Sequence, residues 1–137
     1  MEPIIVDAGP LVAYLKKDDQ DHAWVAEQFR QWRSPLRTCD AALSEAFFLL
    51  RQTHNGPGQL LALLEREVVL PDFDLRQQLP AVAQLMRRYE DVPMSLADAC
   101  LVRMAELYSG SAVFTVDSDF RVYRKHRRQV IPLIYPE

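Results

Sequence analysis

The chain has 137 residues, of which 49% are hydrophobic and 26% charged, and a formal net charge of -3. That balance is too apolar for a disordered chain and fits one domain, large enough to bury about two thirds of the surface its unfolded form exposes. It excludes a strong non-specific pull toward nucleic acid or acidic membranes, so any such affinity has to come from a local patch.

The opening "MEPIIVDAG" carries an acidic residue near its front and no basic stretch leading into a longer apolar one, which is a poor secretory signal. No run of 18 apolar residues suggests a membrane span. Cys39 and Cys100 stand alone, without a CxxC pair. They read as reduced core thiols and point to a cytoplasmic protein.

"PIIV" (3–6) is apolar and β-branched and stops at Asp7, with Gly9 and Pro10 behind it, so it predicts a strand, a turn, and a helix from about Leu11. "HAWVAEQFRQW" spaces Ala23, Trp24, Ala26, Phe29 and Trp32 at helical intervals before Pro35. "LRTC" is a second strand, after which Asp40 is expected to cap the apolar helix "AALSEAFFLLRQT". A further helix, "GQLLALLERE", leads into the strand "VVL". Leu75 to Tyr89 predicts another helix, with Pro80 in its first turn and Arg87 and Arg88 on its polar face. "SLADACLVRMAEL" begins with the capping pattern Ser95-x-x-Asp98 and closes at Gly110. "AVFTV" and "VIPLI" complete the set as fourth and fifth strands. Strands separated by helices argue for a three-layer α/β/α domain with a central, mainly parallel sheet of about five strands. No repeat or linker divides residues 1–137.

In such a sheet, ligands bind beyond the carboxyl ends of the strands, where the strand order reverses. Asp7 and Asp117 close the first and fourth strands, and share a crevice if those strands are neighbours. Either could equally be a helix or turn cap. Glu45 falls among Ala41, Ala42, Phe48 and Leu49 at helical spacing, which places its carboxylate on an apolar stripe, where an ion is costly without compensation. Asp98 sits on the inward edge of a helix start. Two like charges about 4 Å apart repel by roughly 4 kcal/mol at an effective dielectric of 20. Three or four gathered carboxylates therefore need a cation or raised pKa values, and an oxygen-only set selects magnesium or manganese. His22, His54 and His126 are scattered, which disfavours both a zinc site and RNA cleavage by a histidine pair.

"IIVDAGPLVAYL", "LSEAFFLL", "SLADACLV" and "VFTVDSDF" resemble, in order, the four acidic motifs of PIN-domain nucleases, and the chain is most similar to the VapC-like ribonuclease branch of bacterial toxin–antitoxin modules. The resemblance implies that Asp7, Glu45, Asp98 and Asp117 are catalytic metal ligands, with Asp119 an outer or second-metal ligand. It also implies an RNA substrate, a homodimer and a small antitoxin, for which Leu60, Leu61, Leu63 and Leu64 offer an apolar face. Many members carry Ser or Thr two residues after the first acid. Gly9 stands there in this chain, which leaves Thr115 as the supporting hydroxyl. Phosphate grip is expected from Thr115 and from the basic run "RVYRKHRR", through Arg121, Arg124, Lys125, Arg127 and Arg128, with Tyr123 stacking on a base.

A dehalogenase-type phosphatase needs a second Asp where Gly9 lies. A calcium loop starting at Asp117 would put Val122 and Arg128 where Gly and Glu are required. The remaining alternatives are an inactive PIN-like RNA-binding or scaffolding domain and a DNA-directed PIN-like nuclease.

Overall fold

The computed structural model describes residues 2–137. Its centre is a five-stranded sheet built from β1 (Ile4–Val6), β2 (Leu36–Thr38), β3 (Val69–Pro71), β4 (Ala112–Phe114) and β7 (Leu133–Ile134), in the order β3-β2-β1-β4-β7. Every pairing in it is parallel. β1 and β4 are direct neighbours, with Ile4 opposite Ala112 and Val6 opposite Phe114. The strand order therefore reverses beside β1, and the two acids that follow these strands emerge at the same edge.

Side chains alternate across the sheet and feed two cores. Ile5 and Val113 face α5 (Leu75–Arg88) and α6 (Leu96–Leu107), while Ile4, Val6, Leu36 and Phe114 face α1 (Ala8–Leu15), α2 (His22–Gln31) and α4 (Gly56–Glu65). α3 (Asp40–Leu49) bridges them, with Ala42 in the first cluster and Leu43 and Ala46 in the second. The aromatic spacing of α2 delivers Trp24, Phe29 and Trp32 onto the ring of Phe114, with centroids 5.7, 5.8 and 4.9 Å away. Cys39 and Cys100 are both buried free thiols in the first cluster, and hydrogen bonding to Cys100 together with burial pushes the Cys39 pKa up. No helix among the described residues is long and apolar enough to cross a membrane.

The three-layer reading holds, and several boundaries move. α1 starts at Ala8 rather than near Leu11, because Gly9 and Pro10 fall in its first turn, where a missing N–H leaves no bond unmade. Cys39 is the N-cap residue of α3 and Asp40 its first helical residue, so Asp40 does not cap as expected. Pro80 lies inside α5, beyond the first turn, and Asp74 starts that helix by accepting from the Gln77 N–H. "VIPLI" splits: β6 (Gln129–Val130) pairs antiparallel with β5 (Arg124–Lys125) as a separate hairpin, and only Leu133–Ile134 joins the main sheet.

A candidate metal centre at the carboxyl edge of the sheet

Asp7 leaves β1 and turns the chain into α1. Its Oδ1 accepts the Ala8 N–H at 2.7 Å and its Oδ2 accepts the Thr115 hydroxyl at 2.8 Å. Thr115 in turn accepts the backbone N–H of Asp117 at 3.0 Å, so one hydroxyl ties the end of β1 to the loop beyond β4. Asp117 starts the 3-10 turn Ser118–Arg121 by accepting the Asp119 N–H at 2.9 Å. Ser95 begins α6 by accepting the Asp98 N–H at 3.0 Å, which fixes Asp98 in the first turn, and the Tyr123 hydroxyl donates to Asp98 Oδ2 at 2.8 Å. Three segments distant in sequence thus converge at one edge.

Asp7, Glu45, Asp98 and Asp117 line a single cavity of about 270 Å³, together with Ser95 and Gly9. One oxygen from each of Asp98, Asp117 and Asp119 lies within 4.8 Å of the others. Like charges at that spacing repel by roughly 3 kcal/mol per pair at an effective dielectric of 20. Titration behaviour follows. Burial raises the Asp7 pKa from 3.8 to about 7 against the opposing hydrogen bonds from Thr115 and Ala8, and Asp98 and Glu45 add to the rise. Glu45 is raised by burial and by Asp98 and Asp117. Asp98 is raised by burial and Asp117, partly offset by the Tyr123 and Ser95 bonds. All the donors are oxygens, no guanidinium or ammonium neutralises them among the described salt bridges, and the set fits a hard divalent cation.

Three sequence expectations change here. Glu45 does not sit within the apolar stripe of α3: Ala42, Leu43 and Ala46 fill the interior, and Glu45 stands at the exposed lip of the cavity. Thr115 and Tyr123 are both 0% exposed, so neither can touch a substrate. Thr115 orients Asp7, and Tyr123 orients Asp98. The Tyr123 phenol is itself held well above its ordinary pKa by burial and by Asp98, which keeps it a donor. The Ser95 and Tyr123 hydroxyls were missed as site groups. The capping pattern identified Ser95 but only as a helix start, and "RVYRKHRR" carries no periodicity that could mark its tyrosine as buried.

The basic run is divided. Arg124 Nη1 donates to the carbonyls of Arg121, Val122 and Tyr123, so its charge is spent on its own turn. Arg121 is exposed and lies over the Tyr135 ring at 5.7 Å, and Lys125 is half-buried in β5. Leu60 is fully buried and half of Leu61 is exposed. Leu63 lines a separate groove of about 620 Å³ with Tyr14, Phe29, Lys17 and Arg66, and Leu64 packs against the second core.

Gly9 has a packing reason. A Cβ there would lie 2.6 Å from Val116 Cγ2, too close for any real contact. Gly9→Ser is therefore expected to destabilise the fold by about 1–3 kcal/mol through overpacking, and Val116→Ala in the same chain to restore most of the loss in urea unfolding. Ser95→Ala removes the α6 cap and should cost about 1 kcal/mol, with weaker manganese binding by calorimetry because Asp98 loses its fixed turn.

The family model described as "PIN domain" matches residues 4–126. The chain is 27% identical over 118 residues to Ribonuclease VapC26 of Mycobacterium tuberculosis, covering 83% of this chain and 86% of that protein. Its fold superimposes on the crystal structure of Mycobacterium tuberculosis VapC20, titled a Sarcin-Ricin loop cleaving toxin, with a TM-score of 0.72 at 20% identity, covering 94% of this chain and 99% of the other.

Proposed function

Because the chain belongs to the PIN-domain family, we propose that it is a magnesium- or manganese-dependent endoribonuclease and the toxin of a type II toxin–antitoxin module. The observation that carries this reading is the convergence of Asp7, Glu45, Asp98, Asp117 and Asp119 at one edge of a parallel sheet, with the pKa values of Asp7, Glu45 and Asp98 raised and no basic partner among the described salt bridges. The similarity to a ribonuclease and to the fold of an RNA-cleaving toxin supports RNA over DNA.

Asp98, Asp117 and Asp119 would hold the cation, with Asp7 and Glu45 completing the set from the floor and the lip of the cavity. A bound divalent ion supplies charge neutralisation at the phosphate and activation of water for in-line displacement. The chain's own residues do the positioning. Thr115 and Ala8 hold both oxygens of Asp7 in one orientation, and Tyr123 fixes Asp98 through its Oδ2. The exposed lip at Glu45 leaves the cavity open to a polymer, which has to enter and leave sideways.

A homodimer, a cytoplasmic location and an antitoxin complete the proposal. The groove of about 620 Å³ between α1, α2 and α4, with Tyr14, Phe29 and Leu63 for apolar side chains and Lys17, Arg30 and Arg66 for acids, is the place offered to the antitoxin. Cleavage of a mixed single-stranded RNA pool in magnesium or manganese, its suppression by EDTA, and its loss in Asp98→Asn test the central claim. Metal-independent cleavage, or full activity in Asp98→Asn, would refute it.

A further inference from the structure

A second concave site lies away from the carboxylates, between α5, α6 and the tip of the β5–β6 hairpin. It encloses about 260 Å³ and is lined by Arg88, Arg103, Glu106, His126 and Arg127. The only acid in this lining is already committed. Glu106 Oε1 accepts Arg103 Nη1 at 3.0 Å, and its Oε2 accepts the His126 backbone N–H at 2.8 Å. Arg103 Nε is bound to Gln78 as well, at 2.8 Å. Arg88 and Arg127 have no carboxylate partner among the described salt bridges, so two arginines free of ion pairs line the same cleft, in a protein whose net charge is negative.

The hairpin tip is built at a conformational cost. His126 and Arg127 both adopt positive φ, 49° and 72°. Histidine is among the side chains more often seen there, but arginine gains nothing local from it. The Glu106 bond to the His126 N–H holds the strained tip against α6, beside the cleft that Arg127 lines.

The segment that ends in this tip begins at the carboxylates. Asp117 and Asp119 open it, Tyr123 touches Asp98, and Arg124 and Lys125 then form β5, which packs against α6. Arg103 and Glu106 lie about 8–12 Å further along α6 than Asp98, at about 1.5 Å per residue. Along the axis of α6 that separation is the length of a few nucleotides of extended strand.

Resting on the nuclease reading, we propose that this cleft is a remote subsite that grips a backbone phosphate of the substrate strand through Arg88 and Arg127, and so sets the minimum length of RNA that is cut efficiently. Planar guanidinium forks bind phosphate oxygens bidentately, and contact to backbone alone leaves base sequence unread. The cleft would therefore govern affinity and length preference, not the position of the cut.

The test is steady-state cleavage of a labelled dodecanucleotide and a trinucleotide RNA by the unaltered chain and by the double variant Arg88→Gln/Arg127→Gly, over a range of salt. Glycine accepts the positive φ, so the thermal midpoint should not fall. The expected result is a KM for the dodecanucleotide raised by about tenfold or more with kcat unchanged, a salt dependence shallower by about 1.4 for two lost phosphate contacts, and unaltered kinetics on the trinucleotide. An equal KM rise at both lengths, or none, overturns the subsite while leaving the nuclease reading intact. Binding of polyglutamate that the double variant abolishes, with RNA kinetics unchanged, assigns the cleft to an acidic protein segment and also overturns it. If the unaltered chain cuts neither RNA in magnesium or manganese, the nuclease reading falls, and the subsite with it.

Discussion

Asp7→Asn is expected to reduce RNA cleavage on the order of 10³-fold while making the metal-free chain more stable. The two effects have one origin. Asp7 is 7% exposed, and burial, with smaller contributions from Asp98 and Glu45, pushes its pKa up to about 7, so its charge is costly in the fold unless a cation shares the cavity. Losing one anionic ligand removes several kcal/mol of charge stabilisation at the reacting phosphate, and each 1.4 kcal/mol is about tenfold in rate. The amide keeps both local bonds: its oxygen accepts the Ala8 N–H, and its NH₂ can donate to the Thr115 hydroxyl, which already accepts from Asp117. A neutral group in that position escapes the desolvation cost. Urea unfolding in EDTA at pH 8 should place the midpoint of Asp7→Asn above that of the unaltered chain. A variant that is both inactive and less stable would indicate a misfolded site instead of a missing ligand.

The stability of the metal-free protein should fall as pH rises from 5 to 7, and added metal should reverse the fall. Between its ordinary pKa of 3.8 and its folded value of about 7, Asp7 binds its proton more tightly in the folded chain than in the unfolded one. Its contribution is thus fully present below pH 4 and is lost as pH climbs through 7. At about 1.4 kcal/mol per pH unit, falling to half that slope at pH 7, the part of this loss lying between pH 5 and pH 7 is about 2 kcal/mol. Subtracting the curve of Asp7→Asn isolates it from the other acids. Because a cation binds the ionised carboxylates, the gain in thermal midpoint on adding magnesium or manganese should be larger at pH 8 than at pH 5. Parallel curves for the two chains, or a metal shift independent of pH, would contradict this account.

The sheet and the acids were legible because their signals are local and strong. A short β-branched run ending in Asp announces both a strand and what lies at its end, and this happens twice, at "IIVD" and "VFTVD". Neighbourhood of β1 and β4 then followed as a condition, and the pairing of Val6 with Phe114 meets it. Glu45 misled because helical spacing reports which residues share a stripe, and the stripe of α3 is narrower than its run of apolar residues: Phe48 and Leu49 are exposed at 60% and 48%. Tyr123 misled for the opposite reason. It is surrounded in sequence by arginines, yet it packs edge-on against Tyr89 and Phe120, at 5.1 and 5.3 Å between centroids, under a hairpin that no turn residue advertised. The αL positions of that hairpin are filled by His126 and Arg127 in place of the glycine or asparagine that would have marked them.

The bond from the Thr115 hydroxyl to Asp7 spans 108 positions of the chain, and β7, which flanks β4, comes later still. A growing chain cannot close that bond before Thr115 has been made, so the acids after β1 and β4 stay apart until all the residues between them have been synthesised. On the ribonuclease reading, the order of synthesis itself then keeps the cutting centre unassembled beside the messenger that is producing it.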